Sequence, residues 1–123
     1  MENVIKIISC FIGLTLLNVW LIRFNKPTGW RGGDSQNMKE EFAVYGLPPA
    51  ALVVVGLLKV IIGVLLIASL WFPSLTRPAC AALSVLMISA VLMHVKVKDP
   101  VKKSLPALTL FVLSVFNIMG AGS

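Results

Sequence analysis

Four long apolar runs divide the chain: Val4–Phe24, Pro48–Phe72, Leu75–Val95 and Val101–Met119. Each is close to the roughly 20 residues that a helix needs to cross about 30 Å of hydrocarbon. Backbone amides inside a bilayer must be satisfied within the segment, so every run is predicted to be a helix. The links "WFPSLTRP" and "HVKVKDPVKK" are short, which makes their flanking helices antiparallel neighbours. The pattern predicts an all-α fold, a membrane four-helix bundle forming a single domain over residues 1–123.

The one sizeable interval between spans is Asn25–Pro49. Its first half, with Pro27, Gly29, Gly32 and Gly33, reads as a turn-rich loop. Its second half predicts a short helix over about 35–45. Asp34, Ser35 and Asn37 are candidate N-caps, and Glu40 stands three residues after Asn37 as in a capping box. Gly46 suits the left-handed position past the helix end, and Pro48 blocks simple continuation. Met38, Glu41, Phe42 and Tyr45 fall on one face. The expected element is an amphipathic helix at the membrane interface or dipping into the bundle, with Glu41 as the odd member of its apolar face.

Composition agrees with this reading. Of 123 residues, 58% are hydrophobic and 13% charged, too little polar surface for a soluble domain of this size. The first run contains Asn18, ends near Trp20 and Arg23, and lacks a small-x-small cleavage site, so it is expected to be a retained helix and not a signal peptide. The net charge of +6 would point to nucleic acid in a soluble protein, but here the basic residues flank spans and no nucleic-acid partner is expected. Arg23, Lys26, Arg31 and Lys39 lie between the first two spans, and Lys96, Lys98, Lys102 and Lys103 between the last two. Only Lys6 and Arg77 fall on the other side. The positive-inside rule then places both long connections in the cytoplasm and the termini outside. Cys10 and Cys80 lie inside spans without metal or CxxC spacing and read as packing residues.

Candidate chemistry centres on "GLLKVIIG". Lys59 lies 11 residues after Pro48 and 12 before Trp71, close to the midplane. A lysine there costs about 2.5–3.5 kcal/mol on insertion scales and is expected to face a protein interior with a partner; the alternative is a lysine that snorkels to the interface or is neutral there. Gly56 and Gly63, at i−3 and i+4, share its face and admit a neighbouring helix. No acid lies within a span, so the partner comes from Asp34, Glu40, Glu41 or Asp99. Glu41 is the best placed, paired with Lys59 directly or through water or a ligand. On the third span Cys80, Ser84, Met87, Val91 and His94 follow helical spacing, with Ser84 near the depth of Lys59 and His94 at the cytoplasmic end. Asn18 and Asn117 read as interhelical glue with a smaller claim to a site. Asp99 before Pro100 reads as an N-cap. No phosphate loop, HExxH motif or nucleophile elbow is present.

The segments "EEFAVYGLP", "VGLLKVIIGVLLIASLW" and "HVKVKDPVKKSLPAL" resemble the DoxX-like family over most of the chain. The resemblance implies a four-helix membrane bundle. The family's namesake is described as the small membrane subunit of a thiosulfate:quinone oxidoreductase, and a distant eukaryotic relative is an assembly chaperone for nicotinic acetylcholine receptors. Many members carry glutamate in a G-x-x-E-x-x-x-G setting where this chain has Lys59.

Residues and resemblance together predict an accessory or assembly protein of the cell membrane, not a stand-alone enzyme. Its internal polar pocket, built from Lys59, Glu41, Ser84, His94 and Asn18, is expected to take a lipid-like or quinone-like molecule or a partner's helix. A membrane subunit of a quinone-linked oxidoreductase and a small transporter for an anionic substrate are the alternatives. A quinone is the one cofactor this reading admits, and no metal or catalytic set is assigned. The expected partners are the lipid bilayer and either another membrane protein or a second copy.

Overall fold

The computed structural model describes residues 2–22, 24, 32, 35 and 37–120. Helix α1, Glu2–Leu17, runs into a π-helical turn at Asn18–Ile22. The short α2 covers Met38–Val44, α3 Pro49–Ala68, α4 Thr76–Lys96 and α5 Leu105–Gly120. Single 3₁₀ turns, Pro73–Leu75 and Val101–Ser104, lead into α4 and α5. With their adjoining turns, α1, α3, α4 and α5 are each long and apolar enough to cross a membrane.

The four long helices form a closed ring in which α1 packs on α3, α3 on α4, α4 on α5, and α5 back on α1. Ile12, Leu66, Cys80 and Leu83 are fully buried along its axis. The outward residues are equally apolar: Ile7, Leu57, Val85 and Val112 are largely exposed, as a bundle solvated by lipid tails requires. One polar contact inside the ring ties α5 to α1. Asn117 Nδ2 on α5 donates to Ser9 Oγ at 2.9 Å and to the Ile5 carbonyl at 3.2 Å on α1, the interhelical bonding its position predicts.

Small residues set the spacing of α1 and α3. A Cβ on Gly13 would stand 2.8 Å from the Gly63 carbonyl oxygen, and one on Gly63 3.2 Å from the Gly13 oxygen. Gly56, two turns before Gly63 on the same face of α3, leaves room for the Trp20 ring, which a Cβ there would meet at 2.8 Å. Both glycines of the "GLLKVIIG" stretch therefore face α1.

The loop helix forms for the reasons its sequence gives, within narrower limits. It starts at Met38, because Asn37 is the residue in extended conformation whose Oδ1 accepts from the Glu40 amide at 2.8 Å. Asn37 Nδ2 also donates to Glu40 Oε2 at 2.7 Å. Asp34, another candidate cap, lies outside the described residues. At the far end Gly46 takes φ +76°, and the Gly46 and Leu47 amides return to the Ala43 and Phe42 carbonyls. This Schellman closure turns the chain into α3.

Candidate functional site

The inward face of α2 carries Met38, Phe42 and Tyr45, all buried. Met38 and Phe42 pack with Trp20 in a small core of their own, joined by Leu47, Leu52 and Val55. Trp20 reaches this core at the end of α1, four residues after the buried Leu16 and on the same face. The indole is buried against Gly56 and sits edge-on to Phe42, ring centres 6.0 Å apart. Above the indole stands Lys59, its Nζ 5.5 Å from the ring centre, a cation–π contact across the α1–α3 seam.

From α2 a chain of polar side chains crosses to the α4–α5 corner. Tyr45 donates its hydroxyl hydrogen to Glu41 Oε1 at 2.8 Å, and its oxygen is 3.4 Å from His94 Nε2. His94 Nδ1 is 2.8 Å from Asp99 Oδ2, with both side chains buried. A carboxylate only accepts, so Nδ1 carries the hydrogen in this contact. Lys103 Nζ closes the chain 3.7 Å from Asp99 Oδ1. Burial first, and then the charge and hydrogen bond of Glu41, hold the Tyr45 phenol far above its ordinary range. It therefore stays protonated as a donor. Lys96 Nζ donates to the Tyr45 carbonyl at 2.8 Å, where a lysine partners a last carbonyl of the helix.

Asp99 reaches His94 through a backbone reversal. Lys98 has φ +59°, the left-handed region that non-glycine residues avoid. The Lys98 and Asp99 amides fold back to the Val95 and His94 carbonyls at 3.0 Å each. Asp99 consequently does not cap the following turn. That turn has Pro100 at its N-cap without a side-chain bond, a correction to the expected Asp99 cap.

Between α2 and the middle of the bundle lies a cavity of about 780 Å³. Lys59, Glu41, His94 and Asn18, four of the five residues read from sequence as a pocket, line it together with Tyr45 and Lys103. Leu16, Val55, Met87, Met93 and Leu110 supply apolar walls. By helical rise, Lys59 lies about 15 Å along α3 from Pro49, so the lining carries a cation near mid-span and the Glu41–Tyr45–His94 chain beside α2. Ser84 does not belong to this lining. Its hydroxyl turns back to the Ala81 carbonyl of its own helix at 2.8 Å.

Lys59 and Glu41 share the cavity and interact electrostatically, but among the described residues no ion pair at bonding distance joins them. Nor does any described residue offer Lys59 Nζ or the Asn18 amide a hydrogen-bond partner. Tyr45, Trp20 and Lys103 are members that the sequence reading did not assign to the pocket, and Asp99, read as a cap and as a possible partner of Lys59, meets His94 instead. The i, i+4 spacing of Glu41 and Tyr45 was a usable signal. The His94–Asp99 contact depended on the reversal at Lys98. Among the described residues no His, Cys, Asp and Glu gather into a metal-holding group.

No curated protein and no solved structure matches the sequence. The sequence profile of the DoxX-like family matches residues 29–116. That range holds Glu41, Tyr45, Lys59, His94 and Asp99, and it leaves out Asn18 and Trp20. With most of its length matched and four helices able to span a bilayer, the chain is a multi-pass membrane protein of the DoxX-like family.

Proposed function

We propose that this protein is an accessory membrane protein that binds one amphipathic molecule, lipid-like or quinone-like, inside the bundle. The observation that carries the reading is the 780 Å³ cavity whose largely apolar lining includes Lys59. Its volume falls within the roughly 300–1,000 Å³ of small-molecule sites, and a few convergent polar groups in an apolar lining are their usual composition. Burying a lysine near mid-bilayer is costly, and a recurrent reason for it is a ligand or counter-ion. The charge distribution supports an orientation with the α2 segment and the α4–α5 corner in the cytoplasm.

Mild extraction followed by mass spectrometry of the organic extract tests this reading. The wild-type protein is expected to yield one dominant amphiphile in near-stoichiometric amount. Ala90 lines the cavity, and Ala90→Phe should fill it and lose that molecule while the protein still folds. Equal recovery of mixed bulk lipid from both proteins would contradict the reading, and so would a co-extracted protein in place of a small molecule.

A further inference from the structure

The cavity's polar groups differ in whether their bonding capacity is already used. Thr15 and Ser89 bond the carbonyls of Phe11 and Val85 on their own helices, and Tyr45 is committed to Glu41. Lys59 Nζ and the Asn18 side chain line the same cavity, and no described residue takes their hydrogens. Among the described residues, Lys59 meets the π face of Trp20 and the charge of Glu41. An ammonium within a bundle is costly unless acceptors or a counter-charge satisfy it, and a negative group at hydrogen-bond distance does so most strongly.

We propose that the occupant is a single-chain amphiphile with a monoanionic carboxylate head, seated on Lys59 with the Asn18 amide beside it. This inference rests on the binding reading above and specifies the chemical class of the ligand. One ammonium and one neutral amide match a single negative charge with two acceptor oxygens. The apolar walls from Leu16, Met87 and Leu110 match one acyl chain, and a cavity of this size takes one chain with its head in place of a whole two-chain phospholipid. Glu41 then has a defined role. It is the resident carboxylate that faces Lys59 when the site is empty, and it repels a ligand carboxylate when the site is filled.

Trp20, beneath Lys59, reports occupancy of the head position. In a Trp30→Phe, Trp71→Phe background Trp20 is the sole tryptophan, and the probe is 2-bromohexadecanoate, whose heavy atom adjoins the carboxylate. In lipid nanodiscs the acid is expected to quench Trp20 saturably, and its methyl ester is not. Lys59→Met should weaken the saturable quenching by more than about tenfold, the scale of a charged hydrogen bond, and Lys59→Arg should retain it. Glu41→Gln keeps the acceptor for Tyr45 and should tighten binding of the acid several-fold without changing the response to the ester. Equal quenching by acid and ester would overturn the charged-head inference while leaving a neutral-ligand site intact. So would unchanged affinity in Glu41→Gln, which is informative even where Lys59→Met does not fold. An absence of saturable quenching by either probe overturns the inference outright, and an empty organic extract from the wild-type protein would remove the binding reading beneath it.

Discussion

Tyr45 donates its hydroxyl hydrogen to Glu41 Oε1 across 2.8 Å, one turn back along α2. It is the chain's one tyrosine, so tyrosinate absorbance reports this contact alone. Burial and Glu41 raise the phenol's pKa in the folded protein, whereas the unfolded chain ionises near the ordinary value of about 10. A raised folded pKa means that the unfolded state loses its proton first. The stabilisation from Tyr45 is therefore complete below about pH 10 and is lost as pH rises above it. Tyrosinate absorbance should appear only as the protein unfolds in alkali. Tyr45→Phe should remove this alkaline loss of stability and lower stability at neutral pH.

His94 and Asp99 hold the α4–α5 corner through a buried contact of 2.8 Å. Asp99→Ala leaves His94 Nδ1 without its acceptor, and the cost of an unsatisfied buried group is about 1–3 kcal/mol. Thermal unfolding in detergent should show that loss. His94→Ala should be less additive than two independent sites when combined with Asp99→Ala.

Lys98 adopts a left-handed backbone at φ +59°, which disfavours an L side chain by about 1–2 kcal/mol. Its side chain is exposed, so Lys98→Gly should raise the melting temperature, and Lys98→Val, with a branched Cβ, should lower it. No change in either variant would mean that the reversal is unstrained.

Gly13 and Gly63 bring the backbones of α1 and α3 into contact. Gly13→Ala places a methyl group 2.8 Å from a carbonyl oxygen that cannot rotate away, so the helices must separate. The expected destabilisation is about 1–3 kcal/mol, read from thermal unfolding. Gly56→Ala has the Trp20 ring as its neighbour and should alter Trp20 fluorescence as well as stability.

The four spans and α2 were readable because each depends on local composition: an apolar run of sufficient length, an Asn37–Glu40 capping box, and Gly46 at a left-handed position. The shared face of Lys59, Gly56 and Gly63 was readable from their spacing, and in the structure Gly56 and Lys59 both meet Trp20. The relationships that depend on non-local packing or an unusual backbone were not readable. Trp20 looked like a span-end residue, yet it is buried against Gly56 and Phe42. Asp99 looked like a cap beside Pro100, yet the left-handed Lys98, for which glycine is the usual signal, returns it to His94. Ser84 shares the period of the buried stripe on α4, but its hydroxyl bonds its own helix, a local option open to any helical serine.

The central claim is an occupied cavity beneath α2, and the methionines offer a direct test of it. Met38, Met87 and Met93 line the cavity, whereas Met119 is 74% exposed on the outer surface. With photo-methionine incorporated and the protein irradiated in its native membrane, the account predicts one discrete amphiphile adduct shared by peptides carrying Met38, Met87 and Met93. The Met119 peptide should carry mixed bulk lipids instead. Water adducts alone at the three cavity positions, or the same lipid mixture at all four, would contradict it.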